Sequence, residues 1–146
     1  MPSRSTSTSG AETVARVLIL DSQAVSALAE KRKGMAERLA AAQQADHRVL
    51  IPAVVLAEVA TGAPTDAAIW HVLGRIPTLD LPQGVAMRAG ALRASAEKVR
   101  RKKRDLTVDA IVAATAVELA PSVVITADKP DLELLVDGFD VKVSAI

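Results

Sequence analysis

Val17-Leu18-Ile19-Leu20-Asp21 is a run of four aliphatic residues closed by a carboxylate. The run is continuous rather than alternating, which suits a strand buried on both faces, the habit of parallel sheets. Reading outward, Arg48 to Ile51 repeats the pattern and stops at Pro52, and Ser122 to Thr126 repeats it again. Two weaker segments, Ile76 to Leu81 with Pro77 and Pro82, and Val141-Lys142-Val143, supply further short strands. The intervening stretches read as helices: 22–45 with Ser22 as N-cap and a break at Gly34, 53–61, Pro64 to about Gly74, 83–104, 107–119 with Thr107 as N-cap, and 129–136 before Gly138. Strands alternating with helices predict an α/β domain over 15–146 with a mainly parallel sheet, the helices serving as crossovers. Residues 1–14, rich in Ser and Thr, read as a disordered tail.

Half of the 146 residues are hydrophobic and 28 are Ala, whereas Trp70 and Phe139 are the only aromatics, so the core is aliphatic. Eighteen basic against seventeen acidic residues leave a net charge of +1, which excludes a histone-like basic protein and an acidic tail. The absence of Cys excludes disulfide frameworks, thiolate nucleophiles and thiolate metal sites. The apolar stretch Ala110 to Val117 falls far short of the roughly 18 residues that span a bilayer. A cytoplasmic protein without membrane attachment is the expectation.

Ligands of open α/β sheets bind at the carboxyl ends of strands. Asp21 and Asp128 follow two of the strands directly. Asp109 stands in the first turn of the helix from Thr107, and Glu58 interrupts the apolar run Ala53 to Ala60, where it risks burial. Singly, each has an ordinary explanation as a turn or dipole residue. Together, four carboxylates with no Cys or His cluster fit a hard cation such as Mg²⁺ or Mn²⁺, which prefers oxygen ligands and activates water against a phosphodiester. His47 and His71 fall away from these positions and read as solvated or internally satisfied.

Three segments resemble the PIN-domain ribonucleases, in particular the VapC-type toxins of bacterial toxin–antitoxin pairs. They are Val17-Leu18-Ile19-Leu20-Asp21, Ile51-Pro52-Ala53-Val54-Val55-Leu56-Ala57-Glu58-Val59, and Leu106-Thr107-Val108-Asp109-Ala110-Ile111-Val112-Ala113-Ala114-Thr115-Ala116 continuing to Asp128. The likeness covers roughly 16–146. It implies a three-layer fold around a five-stranded sheet, with Asp21, Glu58, Asp109 and Asp128 as catalytic and metal-binding residues around Mg²⁺ or Mn²⁺. It also implies cleavage of single-stranded RNA, homodimers, and inhibition by a VapB-type antitoxin. Thr126 matches a Ser or Thr that the family often places beside the acidic cluster, Asp131 matches a further acidic position seen in some members, and Ser22 is a candidate substitute for the polar residue the family has at position 23. Gln23 departs from the Ser, Thr or Asn usual two residues after the first Asp.

Lys98, Arg100, Arg101, Lys102, Lys103 and Arg104 place six positive charges in seven residues. The run suits RNA phosphates, or equally a solvated helix end favoured by the dipole. The scarcity of aromatics disfavours a base-stacking platform. Two other classes remain beside the metal-dependent nuclease. A non-catalytic PIN-like binding module keeps the fold without the chemistry. A different phosphoryl-handling α/β protein lacks support: a haloacid-dehalogenase-like enzyme wants Asp where Gln23 stands, and neither a P-loop nor GxGxxG is present.

Overall fold

A computed structural model describes residues 16–100 and 104–146. The expected tail at 1–14 and the centre of the basic run, Arg101, Lys102 and Lys103, lie outside the described residues. Strand β1 (Val17–Leu20) is buried along its whole length, as its unbroken aliphatic run requires. It is flanked by β2 (Arg48–Pro52) and β4 (Ser122–Thr126), with Ile19 opposite Leu50 on one side and Val124 on the other. The edges are β3 (Thr78–Leu79) and β5 (Val141–Ala145), giving the order β3-β2-β1-β4-β5 with every pairing parallel.

The helices are α1 (Ser22–Ala29), α2 (Met35–Gln44), α3 (Ala53–Val59), α4 (Ala67–Leu73, preceded by a 3₁₀ turn at Pro64–Asp66), α5 (Gln83–Val99), α6 (Thr107–Glu118) and α7 (Lys129–Leu135). Right-handed crossovers fix their sides. The chain steps from β1 to β2 to β3 in one direction, so α1 to α4 cover one face. It then returns across the sheet to β4 and β5, so α5, α6 and α7 cover the other. In agreement, α6 packs on α5, α7, β1 and β4, while α1 packs on α2, α3 and α4; α3 also touches α6. Ala110, Val112, Ala113, Ala114 and Ala116 of α6 are buried, and their small side chains bring this helix close to its neighbours. No described helix is long and apolar enough to cross a membrane.

Four local expectations are corrected. Asp21, not Ser22, caps α1, because its carboxylate accepts the Ala24 N–H at 3.1 Å. Thr107 is the first residue of α6 rather than its N-cap. Leu106 takes the cap position, buried and without a side-chain cap bond, and Asp105 before it accepts the Thr107 N–H at 3.0 Å and its hydroxyl at 2.6 Å. Strand β3 is only two residues long, since Pro77 and Pro82 bound it and neither can donate to a ladder. Helix α5 ends at Val99 instead of reaching Arg104; Arg100 turns extended (φ −84°, ψ 134°). A helix continued through the basic run would stack like charges along one face. The break expected at Gly34 holds, with its φ of +92° open to glycine at little cost.

Candidate functional site

The strand order reverses beside β1, and β1 and β4 lie side by side with their carboxyl ends together. That is where an open α/β sheet leaves a crevice. Asp21 stands at the end of β1, its N–H donating to the Ile125 carbonyl of β4 at 3.2 Å. Its side chain is 3 % exposed. The Ala24 N–H and the buried Thr126 hydroxyl both hydrogen bond to its carboxyl. With its amide nitrogen turned toward Asp21, as hydrogen bonding demands, Gln23 donates to both carboxylate oxygens at 3.1 and 2.9 Å. The longer side chain at position 23 therefore reaches the carboxylate rather than losing it.

Thr126 joins two of the acidic residues. Besides its bond to Asp21, its Oγ1 accepts the Asp128 N–H at 2.8 Å. Asp128 precedes α7, and Asp131 lies in that helix's first turn. Asp109 comes from the first turn of α6. Burial pushes Asp21 up to about 6, opposed by its hydrogen bonds from Thr126 and Ala24 and assisted by the charge of Asp128. Burial likewise pushes Asp109 up to about 6. Arg104 pulls it down, and the charges of Asp128, Asp21 and Asp131 push it up. The four aspartates thus share one field, and a cation placed among them would relieve it.

The cation already present is a guanidinium. Arg104 Nη2 donates to Asp109 at 2.6 Å and Asp131 at 2.9 Å, and lies 3.5 Å from Asp128. Arg100 forks Asp131 through Nε and Nη2, each at 3.1 Å. These two members of the basic run face the carboxylates, whereas Lys98 lies in the last turn of α5, exposed. Arg104 arrives from 27 residues away from Asp131, and Arg100 from 31. No local pattern in the sequence marks such pairs.

Glu58 is exposed, although its apolar neighbours in the sequence predict burial. Val55 is the one residue of α3 that is buried, and Glu58 is on the exposed side of the helix. It lines an open cleft of about 480 Å³ with Ser22, Gln23, Ser26 and Ala127, beside the aspartates but without an ion pair or hydrogen bond to them among the described residues. Ser22 contributes to the same cleft wall. A separate hollow of about 380 Å³ between α1, α2 and α4 contains none of the clustered aspartates.

The donor set is oxygen only, which fits Mg²⁺ or Mn²⁺ in kind. Among the described residues, no three His, Asp or Glu side chains stand close enough, as placed, to share an ion. The spacing around Arg104 accounts for this: carboxylate oxygens spread at 2.6 to 3.5 Å from a nitrogen must close in to about 2.1 Å to ligate Mg²⁺.

The PIN domain family model matches residues 18–130. No curated protein is significantly similar in sequence. Among solved structures, VapBC2 from Rickettsia felis bound to a promoter DNA fragment matches with a TM-score of 0.71 at 15 % identity, covering 89 % of this chain and 98 % of that one. DNA-bound VapBC from Salmonella typhimurium matches with 0.68 at 21 %, covering 89 % and 98 %. VapBC-1 from nontypeable Haemophilus influenzae matches with 0.66 at 19 %, covering 88 % and 97 %.

Proposed function

The chain belongs to the PIN-domain family, and from that membership and its carboxylate cluster we propose that it is a Mg²⁺- or Mn²⁺-dependent endoribonuclease, the toxin of a VapBC-type pair. The observation that carries this reading is the meeting of Asp21, Asp109 and Asp128 at the switch point of the sheet, two of them with acidities displaced by burial and by one another. Carboxylates held this way are costly unless a cation joins them, and perturbed groups concentrate at working sites.

Asp21, Asp109 and Asp128 would hold the ion. When bound, Mg²⁺ or Mn²⁺ supplies an activated water and positive charge for the phosphate oxygens. Gln23 and Thr126 fix the rotamer of Asp21, and Thr126 also fixes the backbone of Asp128, so two carboxylates on different strands keep one relative position. Glu58, exposed across the cleft, is free to orient the attacking water or accept its proton. Lys98 and the neighbouring basic residues offer phosphate contacts that draw RNA to the cleft. A VapB-type antitoxin partner is supported by the likeness to chains of VapBC complexes. A cytoplasmic homodimer belongs to the same reading.

A non-catalytic PIN-like module has one observation in its favour: Arg104 already sets a cation against Asp109 and Asp131. Incubation of the purified chain with single-stranded RNA separates the two. The nuclease reading expects cleavage with Mn²⁺, none with excess EDTA, and none from Asp109→Asn. Intact RNA in every condition, or cutting that EDTA leaves unchanged, overturns it.

A further inference from the structure

A single nitrogen, Arg104 Nη2, contacts three carboxylates carried by two elements: Asp109 on α6, and Asp128 and Asp131 at the start of α7. We propose that Arg104 is an internal counter-cation that competes with the divalent ion for this cluster, so that loading the site requires its guanidinium to leave. The inference rests on the metal-dependent reading above and adds the regulation of that same site.

Geometry makes the two cations alternatives. The oxygens around Nη2 lie at hydrogen-bonding distances of 2.6 to 3.5 Å, whereas an ion draws its oxygens in to about 2.1 Å. Drawing them in leaves no room for the guanidinium between them. Two positive centres packed into a half-buried pocket also repel more strongly than they would in water.

The residue has an anchored base and a free head. Arg100, 11 % exposed at its side chain, forks Asp131 and donates from Nη1 to the Arg104 carbonyl at 3.1 Å. That bond fixes where the Arg104 side chain starts. The Arg104 side chain itself is 46 % exposed, so its guanidinium reaches solvent by rotamer change without unpacking the core. Helix α5 ends at Val99, and the extended Arg100 that follows it is the residue whose side chain forks Asp131. A surface ion pair of merely structural purpose would need neither the shared nitrogen nor the second arginine bracing the first.

The test is calorimetric titration of Mn²⁺ into the metal-free chain and its variants, with thermal melting to verify folding. Arg104→Gln is expected to bind Mn²⁺ at least about tenfold more tightly, the size of one charge-assisted interaction lost by the competitor. Arg104→Lys falls between, keeping the charge without the fork. Arg100→Gln, which never touches Asp109 or Asp128, shifts affinity in the same direction. In the wild type, NMR of the arginine side chains shows a protected guanidinium that becomes solvent-exchanged on adding Mg²⁺. Equal or weaker Mn²⁺ affinity in Arg104→Gln, with the wild type binding, overturns the competition alone. No Mn²⁺ binding by wild type or variant overturns both the metal-dependent reading and this inference.

Discussion

Replacing Asp21 by Asn should stabilise the metal-free protein at neutral pH, and the structure sets the size of the gain. The unfolded chain ionises Asp21 near the ordinary 3.8, whereas burial in the folded chain pushes it up to about 6. Between those values the native state holds the extra proton, so stability falls as pH rises through that window and the full cost stands above about pH 6. At about 1.4 kcal/mol per pKa unit the cost is about 3 kcal/mol. Asn removes the charge and retains an oxygen for the Ala24 N–H and Thr126. It also opposes a second amide to that of Gln23, returning about 1 kcal/mol. Losing the Asp21 charge relieves Asp109 as well, with the same sign. The net expectation at pH 7.5 is a gain of about 1 to 2 kcal/mol, or about 3 to 8 °C in Tm. Near pH 4, where wild-type Asp21 is already protonated in the folded state, the advantage shrinks by about 2 kcal/mol. Urea denaturation of both chains in EDTA at the two pH values measures the difference. A stability difference that does not change with pH, or a loss at pH 7.5, would refute the claim that burial strains this carboxylate.

Three further outcomes follow from the same structure. Ala113→Leu, at a fully buried position of the Ala-rich α6, is expected to lower stability by about 1 to 3 kcal/mol in urea melts, because the close approach of α6 leaves no space for three added carbons. Gln23→Ala removes both amide bonds to Asp21 and is expected to slow RNA cleavage while leaving the circular dichroism spectrum unchanged, since the carboxylate loses its fixed orientation rather than the fold. Neutralising Lys98 and Lys102 together should weaken RNA binding and reduce the slope of log affinity against log salt by about 1.4, roughly 0.7 per phosphate contact being expected for single strands.

Much of the scaffold was legible because its elements carry unambiguous local signals. The unbroken run Val17–Leu20 belongs to a central strand with neighbours on both sides, and Asp21 marks its end. The stretch Ala110 to Val117 is almost wholly apolar, and the helix that forms there is buried from Val112 through Ala116. The errors have a common origin in contacts that local sequence does not encode. Ser22 and Thr107 are cap formers by residue type, but Asp ranks as high; Asp21 caps its helix and Asp105 reaches the Thr107 N–H from two residues ahead, so each helix starts one residue away from where Ser22 or Thr107 as cap would put it. Glu58 was singled out by its apolar neighbours in sequence, while the face that α3 buries is that of Val55. The basic run reads as one solvated patch, but Arg100 and Arg104 turn back on aspartates some thirty residues downstream. The length of Gln23 departs from the family pattern in sequence, but the cap geometry lets it fold back onto Asp21.

The central claim is that Asp21, Asp109 and Asp128 form a divalent-cation site. Crystals grown or soaked in MnCl₂ and measured at the manganese absorption edge test it directly. The account predicts an anomalous peak beyond the carboxyl ends of β1 and β4, touched by Asp21 and Asp109, with the Arg104 guanidinium displaced from Asp109. Well-ordered crystals with no peak there, or with manganese bound only elsewhere and Arg104 still on Asp109, would contradict it.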